Sequence, residues 1–449
     1  MNAAEAFGQY LALIQANLPQ LSNEPALLQD LRSDAMAVLP AIIEQYRPDK
    51  SLPEECRADV MFAPDYGINL RHLEMTADVA ASFHCGVPNL NCYMIVVVGD
   101  VVHFTDSMLR LPDGLEVYSL RNVPEKYKAD VHAIAEKGNV LNTLLLTDGI
   151  YIRVAEGCRV EKPVQIVNLF NSEMPMLTPR RVIVDARADS SVRLLLCDHS
   201  QSPATPHLNS QVIDVKVAEG ARVEVYDIEE SAPATRRKWE INAAQSHNSE
   251  LVVNTTYLHG GVTANDYNIE LLGNGCYTNL SGLAICTDSQ IVSNNVTLRH
   301  HGEHCTSKQL FKTAVFDQAH GAFGGRVIVD QEARYTDAAQ TNRNILVSPE
   351  ARMDASPQLE IYCDEVKASH GATTGQLDER ALFYMQSRGI PREEARRMLT
   401  QAFMSDVIDN VGYEVLRQRL HVLVEKRLNG DAASCSSCAS ACHNNTSEL

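Results

Sequence analysis

The feature that most constrains the fold is a long run of short, similar strand-like segments between residues 140 and 375. Apolar, β-branched stretches such as SVRLLLCDH, ARVEVYDI and ELVVNTTYL follow one another, separated by Gly, Asn, Asp and Ser. VAEGCRVE at 154–161 returns as VAEGARVE at 217–224, and EARYTDAAQ at 332–340 returns loosely as EARMDASPQ at 350–358. Units this small cannot bury a core alone, so the repetition predicts stacked rungs.

A right-handed parallel β-helix fits this run better than a β-sandwich. Sandwiches are built from tight hairpins, whose signature is Asn-Gly or Asp-Gly between two strands. Those dipeptides occur at 113–114, 148–149 and 429–430, outside the run or at its edge, and inside the run only within Gly-Asn-Gly at 273–275. The predicted fold class is therefore mainly β, with a right-handed parallel β-helix core and helical N-terminal and C-terminal regions.

Four segments follow from these patterns. They are an N-terminal helical and mixed region (1–140), the β-helix core (141–375), a C-terminal helical region (376–430) and a flexible cysteine-containing tail (431–449).

Three helices are expected in the C-terminal region, the first capped by Asp378 and followed by Gly389 in a left-handed C′ position. The second helix carries one apolar stripe, made of Ala395, Met398, Leu399, Ala402 and Phe403. The third carries another, made of Leu416, Leu420, Leu423 and Val424. Such a stripe is usually core, and at the end of a β-helix it equally suits a partner protein.

The composition is that of an ordinary soluble protein, with 45% apolar and 21% charged residues and a formal charge of −18. That charge argues against nucleic acid or an anionic membrane as the main partner, because both require basic patches. No segment reads as a transmembrane helix or a secretory signal. The twelve cysteines are scattered, mostly within apolar runs, which is typical of reduced thiols in the cytoplasm.

Few motifs in the chain point to chemistry. It has neither a P-loop nor a G-x-S-x-G elbow. RHHGEHC at 299–305 holds three histidines and Cys305, and we interpret it as a polar turn rather than a metal site. KASHGATTG at 367–375 contains His370 beside Ser369, and adjacent strand residues face opposite ways, so these two do not form a nucleophile–base pair.

The segment LEIYCDEVKASHGATTGQLDERALFYMQSRGI at 359–390 resembles the C-terminal signature of the SufB/SufD family of iron–sulfur cluster assembly scaffold proteins. The likeness extends upstream through residues 321–362 and, more weakly, to residues 83–100. The family's Lys-Cys-Ser-His-Gly motif is matched at four positions, Lys367, Ser369, His370 and Gly371. Ala368 replaces the cysteine, which is more like the SufD branch than the SufB branch.

The resemblance implies a non-catalytic subunit of a SufBCD-type complex. A SufB-like subunit would pair edge to edge with the β-helix, and a SufC-like ABC ATPase would bind the C-terminal helices, 378–428. His370 would lie at the nascent, transient iron–sulfur cluster, while the thiolates come from the SufB-like partner and no cofactor is held tightly. In isolation the chain could also form a homodimer. Neither nucleic acid nor a membrane is expected as a partner.

Cys363 is the nearest thiol to His370 in the sequence. It lies seven residues earlier, which on a straight strand puts the two side chains on opposite faces and about 23 Å apart. CDEVKASH contains no turn signal, so we expect the thiolates to come from the partner chain.

The tail offers Cys435, Cys438, Cys442 and His443 within CSSCASACH. C-x-x-C spacing suits a shared metal, whereas free thiols on a flexible tail are the simpler interpretation. Both stay open, and comparing bound metal with and without residues 431–449 decides between them.

Two other functions stay open at this stage. A β-helix enzyme acting on carbohydrate would need a groove of stacked acidic and aromatic residues, and the single Trp in the chain argues against it. A SufB-type scaffold that holds the cluster by its own thiols is disfavoured by Ala368.

Overall fold

The repeated segments form the rungs of a parallel β-helix, as the sequence predicts. A computed structural model describes residues 3–75, 91–135, 139–202 and 204–430. Within them, strands β4 to β19 alternate between two sheets, and each strand from β6 onward pairs in parallel with the strand two places before it. The strand order is β19-β17-β15-β13-β11-β9-β7-β5-β1-β2 in one sheet and β18-β16-β14-β12-β10-β8-β6-β4-β3 in the other.

The strands are β1 Tyr93–Val98, β2 Val101–Phe104, β3 Leu115–Ser119, β4 Ile150–Val154, β5 Val164–Phe170, β6 Met176–Ala186, β7 Ser191–Ser200, β8 His207–Val217, β9 Arg222–Glu230, β10 Thr235–Gln245, β11 Glu250–Tyr257, β12 Val262–Leu271, β13 Tyr277–Cys286, β14 Ile291–His300, β15 Thr306–Val315, β16 His320–Val329, β17 Asp337–Leu346, β18 Arg352–Ile361 and β19 Lys367–Gly375. The helices are α1 Ala3–Leu21, α2 Ala26–Gln45, α3 Ala58–Met61, α4 Glu125–Ala135, α5 Val140–Leu145, α6 Glu379–Ser387, α7 Arg392–Asp409 and α8 Glu414–Leu428.

The main core fills the space between the two sheets. Side chains alternate along each strand, so every second residue faces this interior, and residues in register on successive rungs form rows of neighbours. Most of the rows are aliphatic, and the same core contains the aromatic residues Trp239, Tyr267, Phe311 and Phe323. The two sheets are thereby held together by apolar burial along their length.

The recurring VAEG segments lie at one corner of the helix. Gly157 and Gly220 adopt positive φ angles of 71° and 67° there, a conformation that glycine reaches without steric cost. The same left-handed geometry recurs near this corner on other rungs, at Asp189, Asn248, Gly275, His304 and Tyr335. Gly-Asn-Gly at 273–275 is thus a corner between rungs and not a hairpin turn.

One charged cluster is buried between the sheets. Arg237 contacts the carboxylates of Asp198, Asp227 and Glu229, each at 2.7 Å, and all four side chains are at most 1% exposed. Asp198 also accepts hydrogen bonds from two buried asparagines. The cluster ties β7, β9 and β10 together, because a buried charge is tolerated only when it is paired.

The helical regions pack on the outer faces of the β-helix. α1 and its neighbours cover part of the nine-stranded sheet, through a cluster that includes Leu177, Leu208 and Ala264. α7 and α8 cover part of the ten-stranded sheet, where Leu195 and Ile285 are among the residues beneath them. Of the helices in the described ranges, none is long and apolar enough to cross a membrane.

The C-terminal helices confirm some predictions and correct one. The Asp378 side chain accepts a hydrogen bond from the Arg380 N–H at 2.8 Å, and Gly389 has a φ of 87°. The predicted stripe of the third helix is buried throughout. The predicted stripe of the second is wrong, because Met398 and Ala402 are exposed. Its buried residues are Ala395, Thr400, Met404, Val407 and Ile408, since the sheet beneath α7 selects a face rotated from the predicted one.

Candidate functional site

The C-terminal end of the β-helix is open. β18 and β19 are the last strands of their sheets, and among the described residues no strand pairs with their outer edges. Their residues are mostly exposed, whereas those of β16 and β17 are largely buried. Aromatic residues lie at this end, with Tyr335 54% and Tyr362 63% exposed. Two unpaired edges of nine or ten residues form a surface that commonly pairs with another chain.

His370 lies in the middle of β19, at the open end. Its in-register partner on β17 is Gln340, whose side chain is buried in the interior. Ala368, two residues earlier, packs against the core between the sheets. His370 therefore occupies an interior-facing row on the last rung, and it is exposed because no rung follows it.

The row that ends at His370 is polar on the two preceding rungs. Gln309, Gln340 and His370 are in register on β15, β17 and β19. Gln340 Nε2 donates a hydrogen bond to Gln309 Oε1 at 2.9 Å. Gly325 lies beside this pair, and a Cβ there would come within 2.5 Å of Gln340 Nε2, so the missing side chain leaves room for the amide.

The backbone directions differ between the two open edges. The Lys367 N–H donates to Thr336 O at 2.8 Å, toward β17, so the N–H groups of even-numbered residues on β19 point to the free edge. On β18 the Arg352 N–H donates inward to Ala319 O, which turns the odd-numbered positions outward. Pro357 is one of those positions and has no N–H to offer. The free edge of β19 is continuous, and that of β18 is interrupted.

The geometry corrects the argument about Cys363. β18 ends at Ile361 and β19 begins at Lys367, so a corner of the β-helix lies between Cys363 and His370. The assumption of a straight strand was wrong, since the corner is set by stacking on the rung below rather than by a local turn signal. Cys363 packs against the core at this end, as Ala368 does.

The RHHGEHC histidines do not converge on one point. His300 Nε2 bonds Ser307 in the interior at 2.9 Å, and burial lowers the pKa of His300 to about 4. His301 pairs with Asp330, and the His304 ring stacks on Tyr335. Across the described ranges, three or more His, Cys, Asp or Glu side chains nowhere come together as a metal site.

Cys305 is fully buried and accompanies Cys276 on the preceding rung. The register puts the two thiols side by side, and both donate to Gly273 O, at 3.1 and 3.2 Å. Cys276 thereby donates to the carbonyl three residues back, as do Ser249 and Thr336 at the matching positions on other rungs. Cys305 instead donates to the corner of the preceding rung. These cysteines therefore cap corner carbonyls, as the hydroxyl groups do.

Two further predictions concern a carbohydrate-binding groove and the cysteines of the tail. Trp239, the single tryptophan, is fully buried and offers no surface to a sugar ring. The tail cysteines at 435, 438 and 442 lie outside the described residues, and a metal role for them stays a prediction.

The C-terminal helices expose an apolar surface of their own. Phe383 and Tyr384 on α6 are 72% and 59% exposed, and Met398 on α7 is 46% exposed. α6 is joined to α7 by the ion pair between Glu379 and Arg392 at 2.7 Å. An exposed phenylalanine and tyrosine on one short helix are typical of a protein–protein contact.

Comparison with known protein families shows which family the chain belongs to. The chain matches the model described as "SUF system FeS cluster assembly, SufBD core domain" over residues 168–403. Residues 4–166 match the model of the SufBD protein N-terminal region. The protein therefore belongs to the SufBD family, whose members take part in iron–sulfur cluster assembly.

Individual relatives agree with this family. The chain is 36% identical over 175 residues to iron–sulfur cluster assembly protein SufD of Escherichia coli, an alignment that covers 39% of this chain and 41% of that protein. It is 25% identical over 331 residues to SufD of Bacillus subtilis, covering 73% and 74% of the two chains. It is 27% identical over 341 residues to the chloroplastic protein ABCI7 of Arabidopsis thaliana, covering 72% and 71%.

Proposed function

We propose that the chain is a SufD-like scaffold subunit that works in the cytoplasm within a SufBCD-type complex. It pairs through β19 with a SufB-like subunit, contributes His370 to the nascent cluster, and binds a SufC-like ATPase through its C-terminal helices. It is not itself a catalyst in this proposal. The names of its relatives and the family likeness of KASHG support the assignment.

The open C-terminal end of the β-helix carries the proposal. The N-terminal ends of the two sheets finish in the short antiparallel strands β2 and β3, of four and five residues. The C-terminal ends finish in long parallel strands with free edges, of which only β18 contains a proline. Proteins commonly blunt an exposed edge, so an unblunted β19 favours strand addition by a partner chain.

A shared cluster site follows from the ligands present. Iron–sulfur clusters are held mainly by cysteine thiolates, and Ala368 has no thiol at the motif position. One imidazole is too few ligands for a cluster, so a partner that pairs along β19 would bring its own ligands to His370. A site with few thiolates also suits a scaffold, because the cluster has to leave it.

The test is anaerobic reconstitution with Fe²⁺ and sulfide on the co-expressed complex. We expect His370→Ala to lower the iron and sulfide retained by roughly tenfold or more, since even outer partners of a metal ligand are worth 10–100-fold. His320→Ala is the matched control, because His320 is a part-exposed histidine near the same end that bonds Asp354 at 2.7 Å. Full retention in His370→Ala complexes that stay assembled contradicts the proposed site.

The ATPase surface has its own prediction. Phe383→Glu should weaken binding of a SufC-like subunit roughly thirtyfold, because an exposed aromatic at the centre of an interface is worth about 2 kcal/mol or more. Val38→Glu is the control: Val38 is 46% exposed on α2, outside the C-terminal helices, and the same charge is introduced there. Titration of the subunit by calorimetry measures both. Equal affinities for the two variants would place the ATPase elsewhere.

A further inference from the structure

The side chain next to His370 on the preceding rung has an unused hydrogen-bond acceptor. Gln340 is 2% exposed, and its Oε1 atom has no hydrogen-bond partner among the described residues. Its Nε2 atom is already engaged, donating to Gln309 Oε1. A buried carbonyl oxygen without a donor costs stability, so such an atom calls for an explanation.

The register gives that acceptor one neighbouring donor on the outer side of its row. Neighbouring strands are about 4.8 Å apart, and in-register side chains of parallel strands face the same way. On the inner side of Gln340 the row holds Gln309, and beyond it Leu280. Gln309 faces Gln340 with its Oε1, and its own Nε2 is also without a partner among the described residues. On the outer side it holds only His370, whose imidazole carries an N–H on one ring nitrogen.

We propose that Gln340 is a positioning residue for His370. Gln340 Oε1 accepts the hydrogen bond of one imidazole N–H, which fixes the tautomer and leaves the lone pair of the other nitrogen for iron. Gln309 Oε1 holds the Nε2 end of the Gln340 amide, which turns Gln340 Oε1 away from Gln309. Histidines that bind metal usually donate their second N–H to such an acceptor.

The packing around the amide supports a specific orientation. Gly325 faces Gln340 from the other sheet, and a Cβ at this glycine would lie 2.5 Å from Gln340 Nε2 and 2.8 Å from the Phe323 ring. The amide is thus enclosed by β15 on one side and β16 on the other. A confined amide with one end bonded presents the same atom to His370 in every molecule.

This inference rests on the proposed role of His370, and the experiment separates the two. Gln340→Met keeps the length of the side chain and removes the acceptor, and Gln340→Glu keeps an oxygen there. Asn342→Met is the matched control, because Asn342 is 1% exposed, faces the interior of the same strand and lies beside Ala372. Gly325→Ala disturbs the amide without removing it.

Two quantities are measured on the co-expressed complex. The first is the tautomer of His370, from the ¹⁵N shifts of histidine-labelled chain, assigned with His370→Ala. The second is the iron and sulfide retained after reconstitution with Fe²⁺ and sulfide. We expect one tautomer in the unsubstituted chain, in Gln340→Glu and in Asn342→Met. We expect both tautomers, and roughly tenfold lower retention, in Gln340→Met and in Gly325→Ala.

The outcomes are distinct. A single unchanged tautomer in folded Gln340→Met or Gly325→Ala overturns the positioning role, even if His370→Ala abolishes retention. Unchanged retention in His370→Ala overturns the proposed cluster site, whatever the tautomers show. Gly325→Ala retains all the polar groups, so the test stands even if Gln340→Met does not fold.

Discussion

Ala372→Pro should weaken assembly with a SufB-like subunit while leaving the chain folded. The Ala372 N–H points to the free edge of β19, so proline there removes no hydrogen bond to β17. We expect its own unfolding free energy to change by less than about 1 kcal/mol, since edge strands tolerate proline. In a paired strand, proline removes one ladder hydrogen bond. The partner carbonyl left without a donor costs about 1–3 kcal/mol, which corresponds to a roughly 5- to 150-fold weaker complex. Size-exclusion chromatography of co-expressed subunits, followed by calorimetry, measures the loss.

Ala372→Thr is the control for this change. Threonine also enlarges the side chain but retains the N–H and favours the strand conformation. It should assemble as the unsubstituted chain does. Assembly of the Ala372→Pro variant at unchanged affinity would rule out pairing along β19.

Arg237→Met should destabilise the chain by about 3–5 kcal/mol, the cost of breaking a buried ion pair by removing one partner. Three buried carboxyl groups then lose the cation that all of them contact at 2.7 Å. Arg392→Met is the control, because Arg392 and its partner Glu379 are 47% and 67% exposed, and an ion pair at the surface contributes little to stability. Urea unfolding of both variants, followed by circular dichroism, measures the difference.

The Arg237 variant should also depend on pH in a defined direction. Burial raises the pKa of Glu229 to about 8 and that of Asp227 to about 6, and Arg237 opposes both shifts. A carboxyl group whose pKa is raised by folding binds its proton more tightly in the folded state, so its contribution to stability falls as pH rises from about 4.5 to 8. Removing Arg237 raises both pKa values further. The decrease in unfolding free energy caused by Arg237→Met should therefore be larger at pH 8 than at pH 6. An equal decrease at the two pH values would contradict this expectation.

The fold was predictable because its repeat is written in local sequence. The two VAEG segments each mark a corner with a left-handed glycine, and their strands alternate in the way the interior requires. The cap at Asp378 and the buried stripe of α8 were local as well, and both are confirmed. The buried face of α7 could not be predicted locally, because the sheet beneath the helix, rather than the periodicity of its sequence, decides which face is buried.

The candidate site divides in the same way. Sequence likeness alone singled out His370, and Ala368 alone removed the thiol beside it. The sequence did not reveal Gln340. This residue precedes His370 by thirty residues in the chain and adjoins it only through the parallel register of β17 and β19. Nor did the sequence reveal the corner after β18 that separates Cys363 from the strand carrying His370.

The sequence by itself therefore determined the kind of protein: a repeating parallel β-helix with helical ends and a family motif on its last rung. The tertiary structure decided which strand edges stay free, which backbone N–H groups point outward, and which side chains share the row of His370. The physical reason is that strand pairing is non-local. A shift of register by one residue moves every side chain to the other face, and only the stacked rungs fix that register.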